Sequence, residues 1–392
     1  MIEILAWLLI VPLSASLLYL GVELLFGLFR IDTASAPLSP LPRILLLVPA
    51  HDEAAGVGAT VMDLRAVVPN ADILVIADNC RDETAAAARS AGARVAERDD
   101  PTRRGKGYAL AFGRDQVAAD PPDVVIIVDA DCRLAAGSAE RLAAHAIARD
   151  RPVQAAYLLT TNGTASPLVA VSNFAVLIKN LVRARGLVRL AGGSLLFGTG
   201  MAFPWPLFRT LPLATSDAVE DLGLGLWLAR QGIAVVLDER SQVTSPAAAL
   251  ASSRAQRSRW EHGFLLTAFR QGLPLLVGGI ASASRHRAAL GAHLLVPPLA
   301  LLMLLALTGL ALAGATGTAS GHWLPFLILI AAYIFAVAML LVAWWRHART
   351  ELPFAALLRV PLYMMWKIPI YISFFTRRQT GWNRTRRPGE ED

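Results

Sequence analysis

Val124-Val125-Ile126-Ile127-Val128-Asp129-Ala130-Asp131 is an apolar run that breaks abruptly into two carboxylates. Such a run predicts a strand buried on both faces, and in open α/β sheets ligands bind at the carboxyl ends of strands of this kind. Two neighbouring carboxylates suit a hard divalent cation that takes its other ligands from water and substrate phosphates. An Asp-x-Asp triplet is also a common turn or helix cap, so the reading depends on the rest of the chain.

Other strand ends point the same way. The apolar stretch Arg43 to Pro49 leads into His51-Asp52-Glu53, and Ile73 to Ala77 leads into Asp78-Asn79-Cys80. Packing alone gives no reason for carboxylates at the same end of successive strands. The Ala-rich stretches Ala54 to Val67, Glu83 to Ser90 and Gly107 to Val117 read as helices between strands at 43–49, 72–77, 93–97 and 123–128. This alternation predicts a mostly parallel sheet covered on both faces, an α/β fold. A helix over Ser138 to Ala148 and a strand over Val153 to Leu159 continue it. A helical stretch, Leu168 to Leu190, then carries Lys179, Arg183, Arg185 and Arg189, either as a solvated face or as a track for phosphates. Gly198-Thr199-Gly200-Met201, after the strand-like Ser194 to Phe197, is either a plain turn or a loop that lets backbone approach a ligand. Further on, Glu220-Asp221 falls on a helix expected to begin near Ser216-Asp217. Gln256-Arg257-Ser258-Arg259-Trp260 falls on another.

In this order, the strand-end acids, Asp-x-Asp, Glu-Asp and Gln-x-x-Arg-Trp resemble the motifs of membrane-anchored family 2 glycosyltransferases. That group includes cellulose, hyaluronan and poly-N-acetylglucosamine synthases and bacterial lipid glycosyltransferases. The likeness covers roughly Arg43 to Phe269, with Val219 where the family often has Thr before Glu-Asp. It implies a Rossmann-like GT-A domain and inverting transfer from a nucleoside-diphosphate sugar, UDP- or GDP-linked, with Mg2+ or Mn2+. Under it Asp131, assisted by Asp129, holds the metal. Asp52, Glu53, Asp78, Lys106 and Asp129 contact the donor, and Asp221, beside Glu220, is the general base. Gln256, Arg259 and Trp260 serve the diphosphate and the acceptor. The competing structural roles are stabilisation of a helix N-terminus by Glu220 and Asp221 and an interfacial Trp-Arg anchor at 259–260.

The 392 residues are 55% hydrophobic and 17% charged, too apolar for an ordinary soluble protein. The excess lies in Ile4 to Phe29, His293 to Ala313 and Trp323 to Trp345, each near the roughly 20 residues that cross a bilayer. Met1-Ile2-Glu3 lacks the basic start of a signal peptide, so the first stretch reads as a retained anchor. Glu23 within it is read as lying near the headgroups, the other reading being a residue that faces neighbouring helices. Arg30 and Arg43, Arg285 and Arg287, and Arg346, His347 and Arg349 flank the spans, whereas the loop Thr316 to His322 has no Lys or Arg. By the positive-inside rule the large domain is then cytoplasmic, at what the resemblance makes a bacterial inner membrane. Leu357 to Phe375, with Arg359, Lys367, two prolines and several aromatics, reads as interfacial, or else as a fourth span. The expected organisation is an anchor at 1–30, a linker at 31–42 and a catalytic domain at 43–275. Two membrane helices at 276–350 and an interfacial helix with a basic tail at 351–392 complete it.

A net charge of +7 raises nucleic acid as a partner, but the basic residues gather at membrane edges and in the tail, where anionic lipid accounts for them. Two cysteines, Cys80 and Cys132, lack zinc spacing and, in a reducing compartment, form no disulfide. Arg103-Arg104-Gly105-Lys106-Gly107 lacks the earlier glycine and the Ser/Thr of a Walker loop, which disfavours ATP hydrolysis. The acceptor is then lipid-linked or a polysaccharide. Processive synthesis needs more membrane helices than three spans supply, hence a partner subunit. Outside enzymes, the competing classes are a silent scaffold or nucleotide-sugar sensor and, less compatible with spans lacking patterned polar residues, a transporter.

Overall fold

The computed structural model describes residues 2–32, 40–160, 166–247 and 250–377. Part of the linker, the Asn162-Gly163-Thr164 sequon and the tail beyond 377 lie outside the described residues. Two compact units are formed. One comprises Arg30–Gly163 and Gly193–Gly263; the other Met1–Phe29, Thr164–Gly192 and Phe264–Gln379.

The first unit is built on an eight-stranded sheet. Its strands are β1 (Ile44–Ala50), β2 (Asp72–Asp78), β3 (Arg94–Arg98), β4 (Val124–Ile127), β5 (Arg133–Leu134), β6 (Val153–Thr160), β7 (Met201–Pro204) and β8 (Val236–Pro246). They lie in the order β3-β2-β1-β4-β7-β6-β8-β5. The first four are mutually parallel, β6 and β8 pair parallel, and β7 runs antiparallel to both β4 and β6. Period-two alternation sends Leu46 and Val48 of β1 to one core and Leu45 and Leu47 to the other. Helices Val57–Val67 and Ser138–Arg149 cover the first face with Val61, Leu64, Leu142 and Ala146. Lys106–Gln116 and Glu220–Arg230 cover the second with Leu110, Leu224 and Leu228. Burial on both sides is why these strands read as continuous apolar runs.

Two local expectations are corrected. The helix carrying the Glu-Asp pair begins at Glu220, not near Ser216-Asp217. The Thr215 hydroxyl accepts the Asp217 N–H at 3.1 Å, which closes a turn there instead. Ser194 makes a lone bridge to Val235 and the strand follows the glycine loop, as β7.

The second unit is helical. Among the described residues, five helices are long and apolar enough to cross a membrane: Ala6–Gly27, Pro167–Ala191, Gln256–Ala281, Leu299–Ser320 and Leu324–His347. Two of these go beyond the three expected spans, because their Arg and Lys residues dilute the hydropathy. The segment expected at 357–375 forms a helix, Val360–Thr376. Helix Ile2–Gly27 buries Leu17, Leu20 and Leu24 against Val182, Ala306 and Ala332. A Cβ on Gly186 would fall 1.9 Å from the Glu23 carbonyl, so these two backbones touch.

Glu23 faces neighbouring helices, the second of its two readings. It is fully buried, 2.5 Å from Arg183 Nε and 2.5 Å from His293 Nδ1. Arg183 and Arg185 are likewise buried, so that side of Leu168 to Leu190 is not a solvated face. An unpaired charge at membrane depth costs about 2.5–3.5 kcal/mol on insertion scales, which the carboxylate and guanidinium avoid by pairing. Glu23→Ala strands the Arg183 charge, and a loss of about 3–5 kcal/mol is expected in thermal or denaturant unfolding in detergent. Adding Arg183→Met should recover much of it.

Candidate active site

The carboxyl ends of β2, β1 and β4 share one edge, and there the strand-end acids gather. Asp52 and Asn79, just past β1 and β2, adopt left-handed backbone (φ 52° and 53°), which Asp and Asn tolerate better than most residues. The turn after β4 is held from three directions. The Asp129 N–H donates to Thr199 Oγ1 at 3.1 Å, the Thr60 hydroxyl donates to the Ala130 carbonyl at 2.6 Å, and the Cys132 N–H donates to the Asp129 carbonyl at 3.0 Å. Antiparallel pairing puts Met201 of β7 opposite Ile127 of β4, which brings the Gly198-Thr199-Gly200 loop beside Asp129. Gly198 has φ +87°, a region that L side chains rarely adopt, and its Cβ position lies 3.4 Å from Asp221 Oδ2.

Lys106 opens helix Lys106–Gln116. A Cβ on Gly107 would fall 2.3 Å from the Leu213 carbonyl, so only glycine lets this helix seat directly on the segment leading to Glu220. Lys106 Nζ lies 2.5 Å from Asp129 Oδ1, 2.7 Å from the Gly198 carbonyl and 3.8 Å from Glu220 Oε1. The carboxylates of Asp129, Glu220 and Asp221 all act on this one ammonium and, against the effect of burial, hold it protonated. Burial pushes Asp129 up, opposed by Lys106 and reinforced by Asp131. Glu220 is pushed up to about 7, by burial first, with Lys106 opposing and Asp221 adding.

For Glu220, a folded pKa of about 7 against an ordinary 4.5 means the folded protein binds the proton more tightly, so stability falls as pH rises from about 4.5 to 7. In metal-free buffer, Glu220→Gln should flatten this part of the stability–pH curve. It should raise stability above pH 7 by on the order of 1–3 kcal/mol and change little at or below pH 4.5.

Asp129, Asp131 and Cys132 each place a ligand atom within 4.8 Å of the others. The Cys132 thiol is raised well above its ordinary value by burial and by the two acids, leaving the carboxylates as the ligands. Two hard oxygens past the carboxyl end of β4 fit Mg2+ or Mn2+ completed by phosphate oxygens and water.

The Asp52 carboxylate accepts the Arg81 N–H at 2.6 Å, and the Glu53 N–H donates to Thr84 Oγ1 at 2.7 Å. Asp78 is buried and ion-paired with Arg98 at 2.6 Å, so one of its oxygens is committed within the protein. Gln256 and Trp260 are half-buried on helix Leu250–Thr267 with Arg259. A Cβ on Gly263 would fall 2.7 Å from Val219 Cγ1, so this helix packs on the residue that precedes the Glu-Asp pair.

Sequence reading missed Arg98 and Gln154. Arg98 meets Asp78 because β2 and β3 pair in that register, which no local pattern encodes. Gln154 is fully buried, donates from Nε2 to the Thr199 carbonyl at 2.9 Å and accepts the Phe197 N–H at 2.9 Å, fixing the glycine loop. A lone amide in the apolar strand Val153 to Leu159 was the available signal.

A mostly parallel sheet with acids and a lysine gathered at the carboxyl ends of its parallel strands defines an α/β enzyme whose ligand site lies there. The chain matches the model of glycosyltransferase-like family 2 over residues 42–263, more than half its length, and belongs to that family: it is a glycosyltransferase. Its fold is similar to that of a mannosyltransferase of Pyrobaculum calidifontis, solved with GDP-Man and Mn2+. The identity is 17% and the TM-score 0.57, over 94% of this chain and 100% of that one. Mannosyl-3-phosphoglycerate synthase of Rubrobacter xylanophilus matches at 22% identity and TM-score 0.38, over 56% of this chain and 71% of its own. Glucosyl-3-phosphoglycerate synthase of Mycobacterium tuberculosis, solved with Mn2+, UDP and phosphoglyceric acid, matches at 20% and 0.38, over 57% and 78%. No curated relative matches the chain.

Proposed function

We propose that this protein transfers a sugar, with inversion, from a UDP- or GDP-sugar to a lipid-linked acceptor at the cytoplasmic face of the membrane. The observation that carries the reading is the meeting of Lys106, Asp129, Glu220 and Asp221 about the Gly198 loop, with Asp131 two residues from Asp129. In this reading Asp52, Glu53 and Asp78 line the donor's nucleoside, and Asp131 with the second oxygen of Asp129 holds Mg2+ or Mn2+. When bound, the cation neutralises charge growing on the leaving diphosphate.

Asp221 takes the proton of the acceptor hydroxyl as that oxygen attacks the anomeric carbon. The bond to the diphosphate breaks on the opposite side, and the nucleoside diphosphate leaves with the electron pair. One displacement accounts for inversion, with no covalent sugar–enzyme intermediate. Arg259 adds positive charge on the diphosphate side, and Trp260 offers an apolar wall to a sugar ring. Five apolar helices and the basic residues flanking them support a membrane location with the sheet unit inside. A lipid acceptor agrees with the exposed Phe375 and half-buried Trp366 of the last helix, aromatics suited to headgroup depth.

The test is incubation of the full-length protein with a panel of nucleotide sugars, GDP-Man first, and membrane lipid extract, with and without Mn2+. Metal-dependent release of nucleoside diphosphate and a glycosylated lipid in the mass spectrum are expected. Metal-dependent donor binding without release from any donor would instead favour a nucleotide-sugar sensor.

A further inference from the structure

We infer that Lys106 is a positioning residue rather than a donor ligand, an internal counter-ion that holds the metal-side acid Asp129 and the acid pair Glu220-Asp221 at a set spacing. The inference rests on the functional reading above. Lys106 is expected among the donor contacts from the family resemblance; the oxygens already around its ammonium favour the positioning role.

An ammonium has three donors and no acceptor. Here Nζ has three protein oxygens around it: Asp129 Oδ1 at 2.5 Å, the Gly198 carbonyl at 2.7 Å and Glu220 Oε1 at 3.8 Å. The side chain is only 15% exposed, and close packing of Gly107 on Leu213 leaves its helix little room to withdraw. The three oxygens come from separate parts of the sheet unit: the turn after β4, the loop before β7 and the first turn of Glu220–Arg230. One cation therefore joins the element that would grip the donor to the element that would activate the acceptor. Without it three carboxylates face one another at short range, and like charges so placed push apart or take up protons.

Two consequences separate this role from donor binding. By neutralising part of Asp129, Lys106 weakens the cation site that Asp129 shares with Asp131. Removing the ammonium should therefore tighten Mn2+ binding in the absence of any nucleotide, by about tenfold for one unit charge a few ångströms away in a partly solvated site. Transfer should nevertheless fall by about 100-fold or more, because Asp129 and Glu220-Asp221 lose their common anchor. Donor KM should stay within about threefold.

The experiment compares wild type, Lys106→Met and Lys106→Arg as full-length protein in detergent. Donor-free Mn2+ affinity is read from the paramagnetic resonance signal of free Mn2+, and kcat and donor KM are measured alongside. Tighter Mn2+ with lower kcat and near-constant KM in Lys106→Met, and wild-type Mn2+ affinity in Lys106→Arg, is the expected result. Unchanged or weaker Mn2+ binding, or a donor KM raised tenfold or more, overturns the inference. If Lys106→Met does not fold, Lys106→Gln is read by the same criteria. Wild-type protein that binds Mn2+ but releases no nucleoside diphosphate from any donor defeats the functional reading alone, and the Mn2+ comparison still decides the role of Lys106.

Discussion

Asp221→Asn is expected to lower sugar transfer by about 10²–10⁴-fold, the range for loss of a general base, while nucleotide-sugar binding persists. Asp221 sits on the first turn of its helix, where its Oδ1 accepts the Leu222 N–H at 2.8 Å and Oδ2 faces Gly198. Asparagine preserves volume and one acceptor oxygen, so the fold and the donor pocket should survive and only proton acceptance is lost. Isothermal titration with the donor and product analysis separate the two effects. Undiminished turnover would move the base elsewhere, with Glu220 next in reach of the same loop.

The second large effect is expected at Asp131. In the proposed reading Asp131 is the principal carboxylate for the cation, since Lys106 engages one oxygen of Asp129. Asp131→Asn should lower transfer by about 10²–10³-fold, corresponding to the several kcal/mol a metal supplies to a diphosphate leaving group. Raising Mn2+ should recover part of the activity. The same change at Cys132, to Ser, should leave the metal dependence nearly intact, since its thiol is buried and protonated. A metal titration of initial rates for both variants checks this, and equal losses would show that the turn itself, rather than the Asp131 carboxylate, carries the effect.

Much of the sheet unit was legible from short-range pattern. Strands β1, β2 and β4 and the helices between them were readable because both faces of the sheet are covered, which forces continuous apolar runs bounded by turn residues. The acids at the strand ends were readable because they interrupt those runs. The start of the Glu220 helix was not, since the segment before it is held by the local turn at Thr215 and by the packing of Gly107 on Leu213, a contact between distant segments. The surroundings of buried Glu23 are hidden from the sequence for a related reason. Its partners Arg183 and His293 lie 160 and 270 residues away, and a lone charge in an apolar helix carries no mark of what it faces.

By itself, the sequence determined the alternation of strand and helix, the apolar helices and the kinds of side chain available for chemistry, because burial and period act over a few residues. Tertiary structure alone decided that Lys106 would stand among Asp129, Glu220 and the Gly198 carbonyl, and that Arg98 and Gln154 would brace what surrounds them. Strand order and register bring those groups together, and they are set by the packing of the whole sheet, a long-range balance that no local stretch records.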